Sequence, residues 1–250
     1  MERIFLLGGH DLEMLEIKRL LLSHGERFED SNLDWSNARL SAYAPILAKE
    51  PELDYYGVEL QEDCPLPKHY TRIDHHNDYK NRPAAILQVA QLLGVEPNRH
   101  FQLLAANDAG YIPAMHALNA SEEEIAEIRR QDRAAQGVTK EDEKLAELSI
   151  YEHLTKYEGL FIVYARTSRF SAICDRLYPY QRLLIYTDNE WTYYGEGKSE
   201  LVAMLTDEIY NNKVYHGGGE NGYVGAAKGA FPTEQILDFV TLIKRRYERN

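Results

Sequence analysis

The sequence predicts an α/β protein: a mostly parallel sheet flanked by helices, then a helical linker, then a second, smaller α/β domain. Two observations carry this. Short apolar runs alternate with segments of helical periodicity through the first half, the pattern of parallel strands joined by covering helices. From Asn119 to Tyr157 the chain turns charged and helical, and strand-like runs resume beyond it. The expected parts are 1–118, 119–158 and 159–250.

The elements follow in order. Arg3 to Leu7 is an apolar strand ending at Gly8-Gly9, and from Asp11 onward Met14, Ile17 and Leu21 recur at helical spacing until Gly25 offers a stop. Asn37 to Leu47 reads as a second helix, Tyr55 to Leu60 as a buried strand and Tyr70 to Ile73 as another. Helices are expected at Pro83 to Leu93, where Pro83 suits a first turn, and at Asn98 to Ala106. Ser121 and Glu124 form an S-x-x-E capping box opening the charged linker. Strands are expected at Leu160 to Ala165, Leu183 to Thr187 and Glu190 to Tyr194, with Asp188-Asn189 as a hairpin turn, and a helix at Ser199 to Asn211.

Composition narrows the function. An apolar content of 44% over 250 residues supports a substantial core. A formal charge of −12 disfavours long nucleic acid, because that mode of binding relies on Lys and Arg displacing counterions from phosphates. A small anionic substrate stays open, since bound divalent cations reverse the sign of an acidic pocket. Cys64 and Cys174 fit no zinc spacing and read as reduced structural thiols. The first residues hold too short an apolar run for a signal peptide, and no segment approaches a membrane span. A cytoplasmic protein with no membrane partner is expected; a homo-oligomer is left open.

The most informative segment is Asp74-His75-His76 at the end of the Tyr70 strand. A carboxylate and two imidazoles there supply hard and borderline metal ligands. An Asp at a strand end also commonly caps the following helix, and that alternative stands beside the metal reading. Ligand sites in parallel sheets gather beyond the carboxyl ends of the strands. There the first strand delivers His10, Asp11 and Glu13, and the Tyr55 strand delivers Glu59, Glu62 and Asp63, of which Glu62 and Asp63 read as a solvated acidic loop. Asp108, ahead of Ala109-Gly110 at the end of an apolar helix, is a further candidate, with a helix-terminating turn as its alternative.

This arrangement resembles the DHH phosphoesterase superfamily, which includes single-strand exonucleases, oligoribonuclease, cyclic-dinucleotide phosphodiesterases and manganese-dependent family II pyrophosphatases. The match is most specific from Ile73 through Met115, where D-H-H is followed by P-A-A-I-L-Q-V-A-Q-L-L-G and N-D-A-G-Y. The resemblance implies metal ligation by Asp11, Glu13, Glu59, His75 and Asp108, with manganese the expected ion and magnesium the second choice. It implies a catalytic pair in which His76 contacts the substrate phosphate and Asp74 holds the histidine geometry. The chain departs from the family where Gly9 replaces a histidine, with His10 one place late, and where Glu13 replaces an Asp. One of the two usual metal sites is therefore in question.

In the last part, Tyr215 to Phe231 is rich in glycine. Gly217, Gly219 and Gly222 satisfy G-x-G-x-x-G but open no evident helix, so a dinucleotide fingerprint is a poor reading. Backbone N–H groups approaching an anion fit better. The segment looks like the glycine motif of the domain that follows DHH domains, with Glu220 in the place of its histidine. The substrate-binding candidates are accordingly His76, Arg166, Arg169, His216, Gly217, Gly218 and Gly219. The expected activity is metal-dependent hydrolysis of a phosphodiester or phosphoanhydride in a small phosphorylated or short oligonucleotide substrate. The alternative is an impaired module that binds a nucleotide or phosphometabolite without hydrolysis.

Overall fold

The computed structural model describes residues 2–35, 37–218 and 221–247. The chain divides into two compact units, Met1–Gly137 and Val138–Asn250.

The first unit runs β1 (Arg3–Leu7), α1 (Leu12–Ser23), β2 (Phe28–Glu29), a 3-10 turn (Leu40–Tyr43) that continues as α2 (Ala44–Lys49), β3 (Asp54–Val58), β4 (Tyr70–Ile73), α3 (Ala85–Leu93), α4 (Arg99–Ala117) and α5 (Glu122–Ala135). Its strands lie in the order β2-β1-β3-β4, and every pairing is parallel. Ile4, Phe5, Leu6 and Leu7 of β1 have no exposed surface, as expected for a central strand covered on both faces. The register sets Leu7 beside Val58 and Val58 beside Ile73. The chain therefore leaves three neighbouring strands at one level, and the next residues, Gly8, Glu59 and Asp74, share one edge.

Several expected boundaries move, each for a local reason. The strand expected to reach Leu60 stops at Val58 because Glu59 adopts φ 51°, outside the extended region. The helix expected over Asn37 to Leu47 lies over 40–49 and begins as a 3-10 turn, with Pro45 in the first turn of α2. The helix expected to end at Ala106 continues to Ala117, across a break at Gly110 and Tyr111. The capping box of Ser121 and Glu124 forms.

The second unit runs α6 (Lys140–His153), β5 (Leu154–Tyr157), β6 (Leu160–Tyr164), α7 (Ser171–Leu177), β7 (Arg182–Tyr186), β8 (Trp191–Gly195), α8 (Lys198–Met204), α9 (Thr206–Tyr210), β9 (Val214–Gly217), β10 (Tyr223–Ala226) and α10 (Thr233–Tyr247). Its mixed sheet has the order β5-β6-β7-β8-β10-β9. The β6–β7 pairing is parallel, which requires a crossover, and α7 supplies it. Alternation along β7 feeds two cores: Leu184 packs with Trp191, Tyr193, Ile236, Val240 and Ile243, and Leu183 and Ile185 pack with Ile173 and Cys174. The helix expected over Ser199 to Asn211 is broken at Leu205 into α8 and α9. The glycine-rich segment contributes the antiparallel pair β9–β10. No described helix is long and apolar enough to cross a membrane.

Candidate metal centre

The centre sits at the carboxyl edge of the parallel sheet. Here the β1–α1 turn presses on the end of β3: a Cβ on Gly8 would stand 2.5 Å from the carbonyl oxygens of Val58 and Glu59. Only glycine lets the two backbones approach so closely.

Three elements deliver the four acidic side chains. Asp11 caps α1, its Oδ1 accepting the Met14 N–H at 2.9 Å. Glu13 follows in the first turn; its Oε1 accepts the Ile86 N–H at 2.9 Å, at the start of α3. Its other oxygen, Oε2, is buried with no hydrogen-bond partner among the described residues and lies 3.6 Å from His75 Nε2. Glu59 comes from the bend after β3, with both carboxylate oxygens buried and without hydrogen bonds; Oε1 is 3.1 Å from His75 Nε2 and 3.7 Å from His76 Nδ1. Asp108 comes from α4, just before its break, with Oδ2 at 2.5 Å from His75 Nε2.

His75 Nε2 thus faces three carboxylates without an aligned hydrogen bond to any of them. Ligand atoms of Glu59, His75, His76 and Asp108 all lie within 4.8 Å of one another. Buried polar atoms without partners are rare in folded proteins and call for an explanation such as a bound ion. A set of carboxylate oxygens and imidazole nitrogens is the donor chemistry that divalent cations such as manganese and magnesium accept.

The charges are in conflict without a cation. Burial raises Asp11 to about 7, the Asp108 carboxylate adds to the rise, and the Met14 N–H opposes it. Burial likewise holds Glu59 well above the ordinary carboxylate range, with Glu13, Asp108 and Asp11 adding to the effect of burial and His75 opposing it. Glu13 is raised for the same leading reason. For His75, burial works against the charged ring, yet the carboxylates of Asp108, Glu13 and Glu59 prevail and push it up to about 12. A proton on Nε2 and a metal at Nε2 therefore compete for the same carboxylate field.

Asp74 plays a different part. It is buried, and Oδ2 accepts from Arg72 Nε at 2.9 Å and Nη2 at 2.5 Å. Its Oδ1 accepts the His76 backbone N–H at 2.8 Å and stands 3.3 Å from His76 Nδ1. Burial would raise this carboxyl, but the His76 and Arg72 partners outweigh it and hold it below the usual carboxylate range. It is a fixed anion that orients the half-exposed His76 ring. Glu62 and Asp63 stay out of the centre: Glu62 pairs with Arg72 at 3.5 Å and Asp63 accepts from Ser41.

Sequence reasoning missed what supports Asp108. Its neighbour Asn107 accepts from Arg129 Nη1 at 2.9 Å, and the same nitrogen donates to Asp132 at 2.6 Å, all three residues being buried. Asp132 also contributes to the field that raises Asp11. The Arg129 guanidinium lies 4.5 Å from the centre of the Tyr111 ring, at the position where α4 breaks with φ 58° and ψ −151°. The signal available was an arginine three residues before an aspartate inside a helix that otherwise reads as an exposed linker.

The remaining candidates belong to the second unit. Arg166 and Arg169 follow β6 and are exposed; Arg166 pairs with Glu152. His216 is exposed on β9, and the Gly217 carbonyl on the same strand accepts from Lys198 Nζ at 2.9 Å. Gly218 follows with φ 71°. Gly219 and Glu220 lie outside the described residues.

No family model matches the chain, and no curated protein matches it. Solved structures do. A pGpG-specific phosphodiesterase, PggH from Vibrio cholerae, aligns over 99% of this chain and 99% of its own at 12% identity, with a TM-score of 0.50. RecJ from Thermus thermophilus in complex with Mn2+ aligns over 99% of this chain and 52% of its own at 10% identity, with a TM-score of 0.47. The DHH domain of PF0399, a member of the s1p family of ribosomal proteins, aligns over 95% of this chain and 73% of its own at 12% identity, with a TM-score of 0.46. At this identity the full-length likeness to PggH is one of fold.

Proposed function

We propose that this chain, which carries the fold of the DHH phosphoesterase superfamily, is a metal-dependent phosphohydrolase acting on a small nucleotide-like or phosphorylated substrate. The bond cleaved is a phosphodiester or phosphoanhydride. The supporting observation is the convergence of Glu13, Glu59 and Asp108 on His75 Nε2, with buried carboxylate oxygens that no donor among the described residues satisfies.

Glu13, Glu59, His75 and Asp108 would hold the cation, with Asp11 adding its charge and a ligand oxygen; manganese is the proposed ion, magnesium the second choice. When bound, such a cation supplies Lewis-acid chemistry that activates water and draws charge from phosphoryl oxygens at neutral pH. The chain's own residues do the rest. Asp74 Oδ1 faces His76 Nδ1 and fixes the ring, so that Nε2 is the end offered to a phosphoryl oxygen. A hydrogen bond aimed there stabilises charge that grows as the bond to phosphorus forms. Arg166, Arg169, His216, Gly217 and Gly218 are proposed as phosphate-binding residues of the second unit, the arginines because a planar fork matches two phosphate oxygens.

The test combines elemental analysis with turnover. Purified protein is assayed with manganese against pyrophosphate and a 5′-phosphorylated diribonucleotide, reading phosphate and mononucleotide release. Manganese-dependent release that disappears together with bound metal in His75→Ala supports the proposal. Normal manganese content in His75→Ala removes its basis, and tight uptake without turnover of either compound transfers the chain to the class of non-hydrolysing nucleotide binders.

A further inference from the structure

The two tryptophans stand in opposite settings. Trp191 is 2% exposed and stacked on Phe239 with ring centroids 3.8 Å apart, whereas Trp35 is 48% exposed. Trp35 occupies a turn in which the Asp34 N–H donates to Asn37 Oδ1 at 2.8 Å and the Asn37 N–H to the Asp34 carbonyl at 3.0 Å. Buried Leu33 and Ala38 anchor the chain on either side. The indole lies on the bare backbone of Gly9, where a Cβ would overlap three atoms of its ring system. Its centroid is 6.2 Å from that of His76. A large apolar ring is thus held half in water, one face on glycine, at the rim of a charged cluster.

We infer that Trp35 is a stacking platform for a nucleobase beside the metal centre. The site rests on the phosphohydrolase reading for the position of the phosphate, and it deepens that reading by naming the substrate class. A cation held by the carboxylates would take the phosphoryl group, and His76, with Nδ1 3.7 Å from Glu59 Oε1 and its ring centroid 6.2 Å from that of the indole, neighbours both. The group that then reaches the open indole face is planar, aromatic and joined to the phosphate by a short linker, which describes a nucleotide. Stacking of a base on an aromatic side chain is tolerant of base identity, so purines and pyrimidines both fit.

The test compares AMP with ribose 5-phosphate, which lacks only the base, by titration calorimetry in saturating manganese. Wild-type protein is expected to prefer AMP by about 5–150-fold, the range base stacking confers. In Trp35→Ala that preference collapses towards one, and Trp35→Phe restores part of it. AMP also quenches tryptophan fluorescence in the wild type, and Trp35→Phe removes the quench because Trp191 is buried. A preference that survives in Trp35→Ala, equal binding of the two compounds by the wild type, or no binding of either overturns the inference. Turnover is read separately: hydrolysis with a Trp35-independent preference defeats the platform and leaves the phosphohydrolase standing, whereas a Trp35-dependent preference without hydrolysis does the reverse.

Discussion

Replacing Asp11 by Asn should make the metal-free protein more stable, although it removes a charge from the proposed functional centre. Asn caps a helix as well as Asp does, so the bond from the Met14 N–H is retained. What disappears is a carboxylate that burial and Asp108 have raised from 3.8 to about 7. The folded state therefore keeps a proton that the unfolded chain releases, and stability is lost as pH rises from 3.8 to about 7. Roughly three pH units at about 1.4 kcal/mol each come to about 4 kcal/mol. Loss of the favourable charge at the helix N-terminus takes back about 0.3–1 kcal/mol, leaving about 3 kcal/mol above pH 7 and almost nothing below pH 4. Thermal melts in chelator at pH 4, 6 and 8 should show the variant gaining only as pH rises, by about 6–12 °C at pH 8. Manganese should narrow this gap, because the wild type gains about 2.7 kcal/mol at a hundredfold excess over Kd and the variant gains less. A melting temperature lowered by Asp11→Asn at pH 8 in chelator, or a difference that ignores pH, refutes the account of a charge-frustrated site.

Three further outcomes are expected. Arg129→Ala should cost about 3–5 kcal/mol, the penalty for stranding Asp132 in a buried pair, and Lys in its place should recover only part of this; urea titration checks both. Gly8→Ala drives a Cβ against the Val58 and Glu59 carbonyls, so manganese affinity measured by titration should drop at least about tenfold, as when a group orienting a ligand is disturbed. Metal uptake by the wild type should strengthen from pH 6 to pH 8, since Asp11 must shed a proton held to about 7 before it can ligate; an affinity independent of pH across that window counts against Asp11 as a ligand.

The legible part of the fold was the part written in short apolar runs. β1 has the expected limits because a strand covered on both faces needs consecutive apolar residues, and its run ends at a pair of glycines; β4, at the sheet edge with only Ile73 buried, also keeps its expected limits. His75 and Glu59 were legible as neighbours because a parallel sheet sends its strand ends to one edge, whereas Asp108, on α4, was legible only through the resemblance carried by N-D-A-G-Y. Other features depend on partners distant in the chain. Asn107 and Arg129 are 22 residues apart, on segments that read separately as a turn and an exposed linker. The hairpin of β9 and β10 was hidden because glycine lowers strand propensity, and only cross-strand pairing fixes the conformation there. The continuation of α4 was hidden because Gly110 and Tyr111 interrupt the helical dihedrals after Asp108, which in sequence looks like a stop.

The two oxygens of Glu13 are set differently: one accepts the Ile86 amide and the other faces His75 at 3.6 Å without a hydrogen bond among the described residues. The longer side chain, set against an aspartate in the resembled motif, spans both positions. Whatever draws Oε2 forward also tugs on the hydrogen bond that fastens the first turn of α3. Occupancy of the centre should accordingly be audible some distance away, as a changed rate of deuterium uptake at the Ile86 amide, and shortening Glu13 to Asp should silence that report while leaving the amide's helix in place.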